Sequence, residues 1–215
     1  HGNCRADAWG LVMAAASASP ACLNVPIDSE GRPIFRLEQL ALTNGIAHGQ
    51  AHDALSDVGA VLELCRLVYQ RSPELWHRFV RFSNKAGVAD FVEAEDGFVF
   101  TQFFANQAFH LPVVCIGRDP DEANGRFCVN QKGDVDRLAA VTDEEIRAEL
   151  AQRPCPVRRL RINAAPTLMA LHEAPAAMLD GVAIDTIEAR ARRVKDDRDF
   201  CGRLITAYAG TREAR

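Results

Sequence analysis

The chain has 215 residues, 48% of them hydrophobic and 25% charged, which is enough to bury a sizeable core in one or two domains. Its formal net charge of −4 excludes a generally basic nucleic-acid coat, so any DNA binding has to use a local basic surface. No uninterrupted apolar run approaches the roughly 20 residues that a membrane span needs, and the N-terminal stretch lacks a basic segment followed by an apolar one, so no membrane association is expected.

The seven cysteines, Cys4, Cys22, Cys65, Cys115, Cys128, Cys155 and Cys201, form no C-x-x-C pair and show no zinc spacing. An odd number cannot all pair within one chain, and reduced thiols in a cytoplasmic protein are the simplest account.

In chain order, Asp7 to Ala18 reads as a helix that stops near Ser19-Pro20, because the residue before proline disfavours helical backbone. Leu23 to Phe35, with Pro26, Gly31 and Pro33, reads as a loop. Arg36 to Thr43 is a short helix ended by Asn44-Gly45, where glycine can take the left-handed cap. A polar loop follows, and a second helix begins near Asp53. Leu55, Val58, Val61, Leu62, Cys65 and Val68 recur at three- and four-residue spacing on it and predict its buried face.

His52 sits at the mouth of that helix and Asp57 about one turn inside it. A carboxylate fixed on a helix can hold Mg²⁺, which prefers oxygen ligands, while a loop histidine takes a proton from water near neutral pH. The same spacing also fits a helix cap and a surface carboxylate.

Ser72-Pro73-Glu74 predicts another helix start, with Leu75, Phe79, Val80 and Phe82 inward and an end at Asn84-Lys85-Ala86-Gly87. Phe98–Phe104, His110–Ile116 and Arg126–Asn130 are short β-branched and aromatic runs between turn formers, the pattern of a small antiparallel sheet or barrel. Thr142 and Glu145 form a capping box opening a helix to about Gln152. Pro156–Asn163 reads as a strand rich in arginine. The segment from Ala165 to Asp180 reads as extended chain and then loop. Asp185 is expected to cap a helix carrying Ile187, Ala191 and Val194, and Phe200–Ala209 reads as a last helix.

Phe35-Arg-Leu-Glu-Gln-Leu, then Asn44-Gly45-Ile46, then Ala51-His-Asp-Ala-Leu-Ser-Asp57-Val58, resembles the third motif of the DEDDh nucleases, specifically bacterial exonuclease I. Pro156-Val157-Arg158 and Ile162-Asn163-x-x-Pro166 resemble that family's SH3-like domain. The resemblance implies an α+β chain in three parts. Residues 1–85 would be the C-terminal helical remnant of a ribonuclease-H-like (DnaQ-like) exonuclease domain, residues 86–180 an SH3-like β domain, and residues 181–215 the beginning of a helical domain.

By the same resemblance, His52 is the general base and Asp57 the last carboxylate of a two-metal Mg²⁺ site, and Arg36, Lys85, Asn124, Arg158 and Asn163 touch single-stranded DNA. The family's other three carboxylates would lie upstream of His1, so the chain reads as an inactive piece of a monomeric 3′→5′ exonuclease of DNA repair, with single-strand binding protein as a further partner.

Other readings stand beside these. Lys85 also fits a cation at a helix C-terminus, Asn124-Gly125 a hairpin turn, and the arginines at 158, 159 and 161 a solvated strand face. His48 fits a second base, but it reads with His77, His110 and His172 as a surface or half-buried group; Phe98, Phe100, Phe103 and Phe104 fit base-stacking residues, but core packing explains them better. Met13 stands where the family carries an arginine. The basic and aromatic residues of a single-strand-binding-protein pocket are not evident at Ser19 or Arg78. A non-catalytic module that binds single strands or a partner protein is the alternative to the enzyme.

Overall fold

A computed structural model describes residues 6–47 and 54–213. The chain forms two compact units, one of residues 1–84 with 101–109 and one of residues 85–100 with 110–215.

The first unit is built on four helices, α1 (Ala8–Ala18), α2 (Leu37–Thr43), α3 (Ala54–Arg71) and α4 (Pro73–Phe82). The side chain of Asp7 caps α1 by accepting the N–H of Trp9 at 3.0 Å. Helix α2 ends as its Asn44-Gly45 predicts. Gly45 takes φ +70°, its N–H reaches Leu42 O, and the Ile46 N–H reaches Ala41 O at 2.9 Å, which satisfies carbonyls the helix leaves open. Asn44 then ties this helix end to the preceding loop, accepting the Asn24 N–H at 2.9 Å and donating to Asn24 O at 2.8 Å.

Leu11, Ala15, Leu23, Leu40, Leu64, Val68 and Leu75 close around one another as the core of this unit. The buried face of α3 is Ala60, Leu64 and Val68, whereas Leu55, Val58 and Leu62 of the expected face are exposed and Cys65 is half-buried. In α4, Leu75 and Phe82 are buried as expected, but Val80 is exposed and Ser72 makes no side-chain capping bond. Met13 is buried.

The second unit starts with α5 (Lys85–Ala94), a helix that the glycine at 87 hid in the sequence. Its Val88, Phe91 and Val92 are buried at three- and four-residue spacing, and the Phe91 ring meets Phe98 edge-on at 5.5 Å. The strands are β1 (Phe98–Phe104), β2 (Gln107–Arg118), β3 (Gly125–Asn130), β4 (Val157–Arg161) and β5 (Thr167–Ala170), ordered β4-β3-β2-β1-β5 in one sheet. The β2–β3 and β3–β4 pairs are antiparallel. Residues 101–109, the far ends of β1 and β2 with the turn between them, belong with the first unit.

Among the four aromatics read as core, Phe98 and Phe100 are buried and Phe103 packs against the core of the first unit, but Phe104 is 75% exposed. Helix α6 (Val135–Ala140) was not foreseen. It is capped by Asp134, whose carboxylate accepts the Arg137 N–H at 2.9 Å. Helix α7 (Asp143–Ala151) opens with the Thr142–Glu145 box in both directions. Helix α8 (Ile184–Asp196) begins one residue before Asp185, which therefore lies in its first turn while Ala183 holds the cap position. The last helix is α9 (Arg198–Glu213). Val114, Phe127, Val129, Ile146, Val157, Ala191, Phe200 and Leu204 form one core between this face of the sheet and helices α7, α8 and α9.

Candidate functional site

In the first unit, Arg36 occupies the cap position of α2 and is exposed. Its backbone carbonyl accepts the Leu40 N–H at 3.0 Å, which fixes its Cα at the helix entrance. Asp57 lies in the first turn of α3 and is half-buried. His52 lies outside the described residues.

A hard cation such as Mg²⁺ needs near-octahedral oxygen ligation. Among the described residues no group of three or more His, Cys, Asp or Glu side chains is placed to hold a metal ion. Asp57 supplies one carboxylate, so the described residues do not by themselves make up a Mg²⁺ site.

In the second unit the structure brings Asn124 and Asn163 to the same end of the β3–β4 pair. Gly125 is opposite Arg161, and the Ile162 N–H donates to Asn124 O at 2.9 Å. Asn163 is exposed in the turn that follows β4, and Asn124 is half-buried with its Oδ1 turned inward. Asn124-Gly125 is not the centre of a two-residue hairpin. The turn runs Glu122 to Gly125, closed by the Gly125 N–H on Glu122 O at 2.8 Å, and neither Asn124 nor Gly125 has positive φ. Glycine is needed at 125 for space, since a Cβ there would lie 2.5 Å from Asp119 Cβ.

The three arginines of β4 have three different fates. Arg158 is half-buried opposite Cys128 and donates from Nη1 to Cys155 O at 2.6 Å. Arg159 does not belong to a solvated face. It is paired with Asp119, whose side chain is fully buried, and with Glu122. Arg161 is exposed. Sequence alone gave no sign of the Asp119–Arg159–Glu122 cluster, because its members come from a loop and a strand far apart in the chain.

Lys85 is exposed at the first position of α5. It is not the C-terminal cation of α4, which ends at Phe82, and a helix N-terminus does not favour a positive charge. The position leaves Lys85 available to a negatively charged partner.

The geometry of the first unit includes a cavity that sequence reasoning missed. It has a volume of about 670 Å³ and is lined by Trp9, Phe35, Arg36, Gln39 and Asn106 among others.

No family model matches the chain. Exodeoxyribonuclease I of Haemophilus influenzae is 28% identical to it over 209 residues, covering 94% of this chain and 43% of that protein. Escherichia coli exonuclease I in complex with a dT13 oligonucleotide superposes with a TM-score of 0.76 at 24% identity, covering 97% of this chain and 48% of that one. An ExoI/SSB-Ct complex matches with a TM-score of 0.73 at 23% identity, over 94% of this chain and 46% of that one. The α+β fold with its five-stranded sheet is thus shared with nucleases of known structure. The chain is related in sequence and fold to bacterial exonuclease I, as its third-motif residues imply, and it spans less than half the length of the relative it matches.

Proposed function

We propose that these 215 residues work as part of a 3′→5′ exonuclease that hydrolyses single-stranded DNA to mononucleotides in DNA repair and recombination. The observation that carries this reading is the relationship to exodeoxyribonuclease I along 94% of the chain. The ordered third motif supports it, with Arg36 at the entrance of α2 and Asp57 in the first turn of α3.

In this reading residues 1–85 are the C-terminal part of the exonuclease domain, 86–180 an SH3-like domain and 181–215 the start of a helical domain. The protein acts as a cytoplasmic monomer. Arg36 of the first unit, and Lys85, Asn124, Arg158 and Asn163 of the second, each contact single-stranded DNA, where arginine and amide donors hold phosphate without reading sequence. Single-strand binding protein is a second partner, a reading supported by the related ExoI/SSB-Ct complex.

His52 serves as general base. Two Mg²⁺ ions would supply charge stabilisation at the attacking and leaving oxygens, with Asp57 as one ligand. A single carboxylate cannot hold both hard cations, so the 215-residue chain alone is expected to be inactive.

The test incubates the 215-residue chain, its His52→Ala variant and a whole protein containing this chain with 3′-labelled single-stranded DNA and Mg²⁺. Release of mononucleotides by the whole protein, and a loss of roughly 10²–10⁴-fold in turnover when His52→Ala is placed in it, supports the assignment. Release by the isolated chain but not by its His52→Ala variant would overturn the two-metal reading. Binding without hydrolysis by the whole protein would favour a non-catalytic single-strand-binding module.

A further inference from the structure

The cavity of the first unit is lined by the Trp9 indole and by Arg36, a cation with no ion pair among the described residues. Trp9 is 44% exposed, although tryptophan is a residue that folding tends to cover, and its indole is held in place edge-on against Phe103, with ring centroids 6.3 Å apart at 76°. Phe103 in turn packs on the core of that unit, so the exposed indole rests on a side chain that the core holds.

Three charged side chains line the same cavity, and two of them are already satisfied. Asp28 Oδ2 accepts from Arg32 Nε at 2.8 Å, while Asp28 Oδ1 accepts the N–H groups of Glu30 and Arg32 at 2.8 and 2.9 Å. The Arg32 N–H holds the Asp28 carboxyl below its ordinary range, with the guanidinium adding to the effect. Arg32 also pairs with Glu30 at 3.0 Å. Arg36 makes no ion pair among the described residues. Of the charged groups that line the cavity, Arg36 is thus the one whose charge has no ion-pair partner among the described residues, and it shares the lining with the Trp9 indole.

Gln39 and Asn106 add amide groups to the lining; the Gln39 Oε1 is buried, so Gln39 offers its N–H donors and Asn106 can donate or accept. The volume falls within the range that encloses a small organic ligand. A ligand complementary to this lining is flat on one side, anionic on the other and rich in hydrogen-bonding edges, and a nucleotide unit meets all three conditions.

We propose that this cavity is a nucleotide subsite for the single strand, in which a base stacks on Trp9 and an adjacent phosphate is gripped by Arg36. This rests on the reading of the chain as a single-strand-binding part of an exonuclease and adds to it a residue, Trp9, and a stacking contact. Stacking tolerates any base, because every base has a π-face, so the subsite holds the strand without sequence preference.

The chain has two tryptophans, and Trp76→Phe leaves Trp9 as its sole indole. In that variant, with a chelator present to prevent hydrolysis, Trp9 fluorescence should be quenched to saturation by oligothymidylate. Binding is followed in parallel by the anisotropy of the same oligonucleotide labelled at its 5′ end. Trp9→Ala should weaken that affinity roughly 5- to 150-fold, the effect of losing one base–aromatic stack of about 1–3 kcal/mol, and Trp9→Phe should retain most of it. Thermal melts of both variants separate this loss from unfolding, since Trp9→Phe keeps the edge contact to Phe103.

Saturable binding without quenching, or equal quenching by an oligonucleotide whose sugars carry no bases, would overturn the subsite while leaving single-strand binding intact. Absence of any binding, with Arg36→Ala indistinguishable from the parent, would overturn the reading beneath it as well.

Discussion

Arg159 Nε lies 2.7 Å from Asp119 Oδ2, and the side chain of Asp119 has no exposed surface. A buried carboxylate is tolerated only with a partner, and this one has a guanidinium on one oxygen and the Asp121 N–H on the other at 3.0 Å. The second fork of Arg159 reaches Glu122, so a single side chain of β4 holds two of the three acids of the loop that leads to Asn124. Gly125 lies directly against Asp119 and closes the same loop.

Removing one member of a buried pair costs more than the pair contributes, because the survivor is left charged in a poor solvent. Arg159→Ala is expected to lower stability by about 3–5 kcal/mol in a urea titration, and Asp119→Ala by less, since Arg159 keeps Glu122. The double variant should lose less than the sum of the two. A stability within about 0.5 kcal/mol of the parent for Arg159→Ala would show that solvent reaches Asp119 and that the cluster is not a buried pair.

Short-range chemistry was legible in the sequence. The Asn44-Gly45 stop and the Thr142–Glu145 box each rest on residues within one helical turn, and both are formed as expected. Helix α5 escaped notice because Gly87 looked like a terminator, while Val88, Phe91 and Val92 already carried the helical spacing. Periodicity fixed that α3 is amphipathic but not which flank is covered. Ala60, Leu64 and Val68 form a stripe beside Leu55, Val58 and Leu62, and tertiary packing rather than local pattern decides between them. The same limit hid the Asp119–Arg159 pair and the cavity at Trp9, since both join segments far apart in the chain. Motif letters pointed to Arg36, Asp57, Asn124 and Asn163, but only the folded chain shows that Asn124 and Asn163 share one end of the β3–β4 pair.

The three arginines of β4 make different predictions for DNA binding. Arg161 is exposed and Arg158 is half-buried with one nitrogen on Cys155 O, so both keep donors for phosphate. Arg159 is committed to two carboxylates. If this strand holds single-stranded DNA, Arg161→Ala and Arg158→Ala should each flatten the plot of log affinity against log salt by about 0.7, the counterion contribution of one phosphate contact on a single strand. The loss should be alike on all sequences. Arg159→Met, by contrast, should lower stability and leave the slope unchanged in the protein that remains folded. Equal slopes for all three variants and the parent, in titrations from low to physiological salt, would return β4 to a face that touches no phosphate.

Cys201 gives the fold a defined weakness at alkaline pH. The residue is 8% exposed, its Sγ donates to Val194 O at 3.1 Å, and burial pushes its thiol up to about 11, with the Asp197 carboxylate adding to the effect. In the unfolded chain a cysteine titrates near about 8.5. Between these values the unfolded chain has lost a proton that the folded protein still holds. Stability therefore has the full contribution of this thiol below about 8.5 and loses it as pH rises towards about 11, with a slope approaching 1.4 kcal/mol per pH unit where the difference is one whole proton. Cys201→Ala removes this term and keeps those of the other thiols. It should be less stable than the parent at pH 7, because a buried sulfur and its hydrogen bond are lost, yet the gap should narrow steadily above pH 9. Urea titrations of both proteins at steps from pH 7 to 11 read this directly. A gap that stays constant across that range would mean that Cys201 ionises alike in the folded and unfolded chains, and its burial would then have no bearing on the pH dependence.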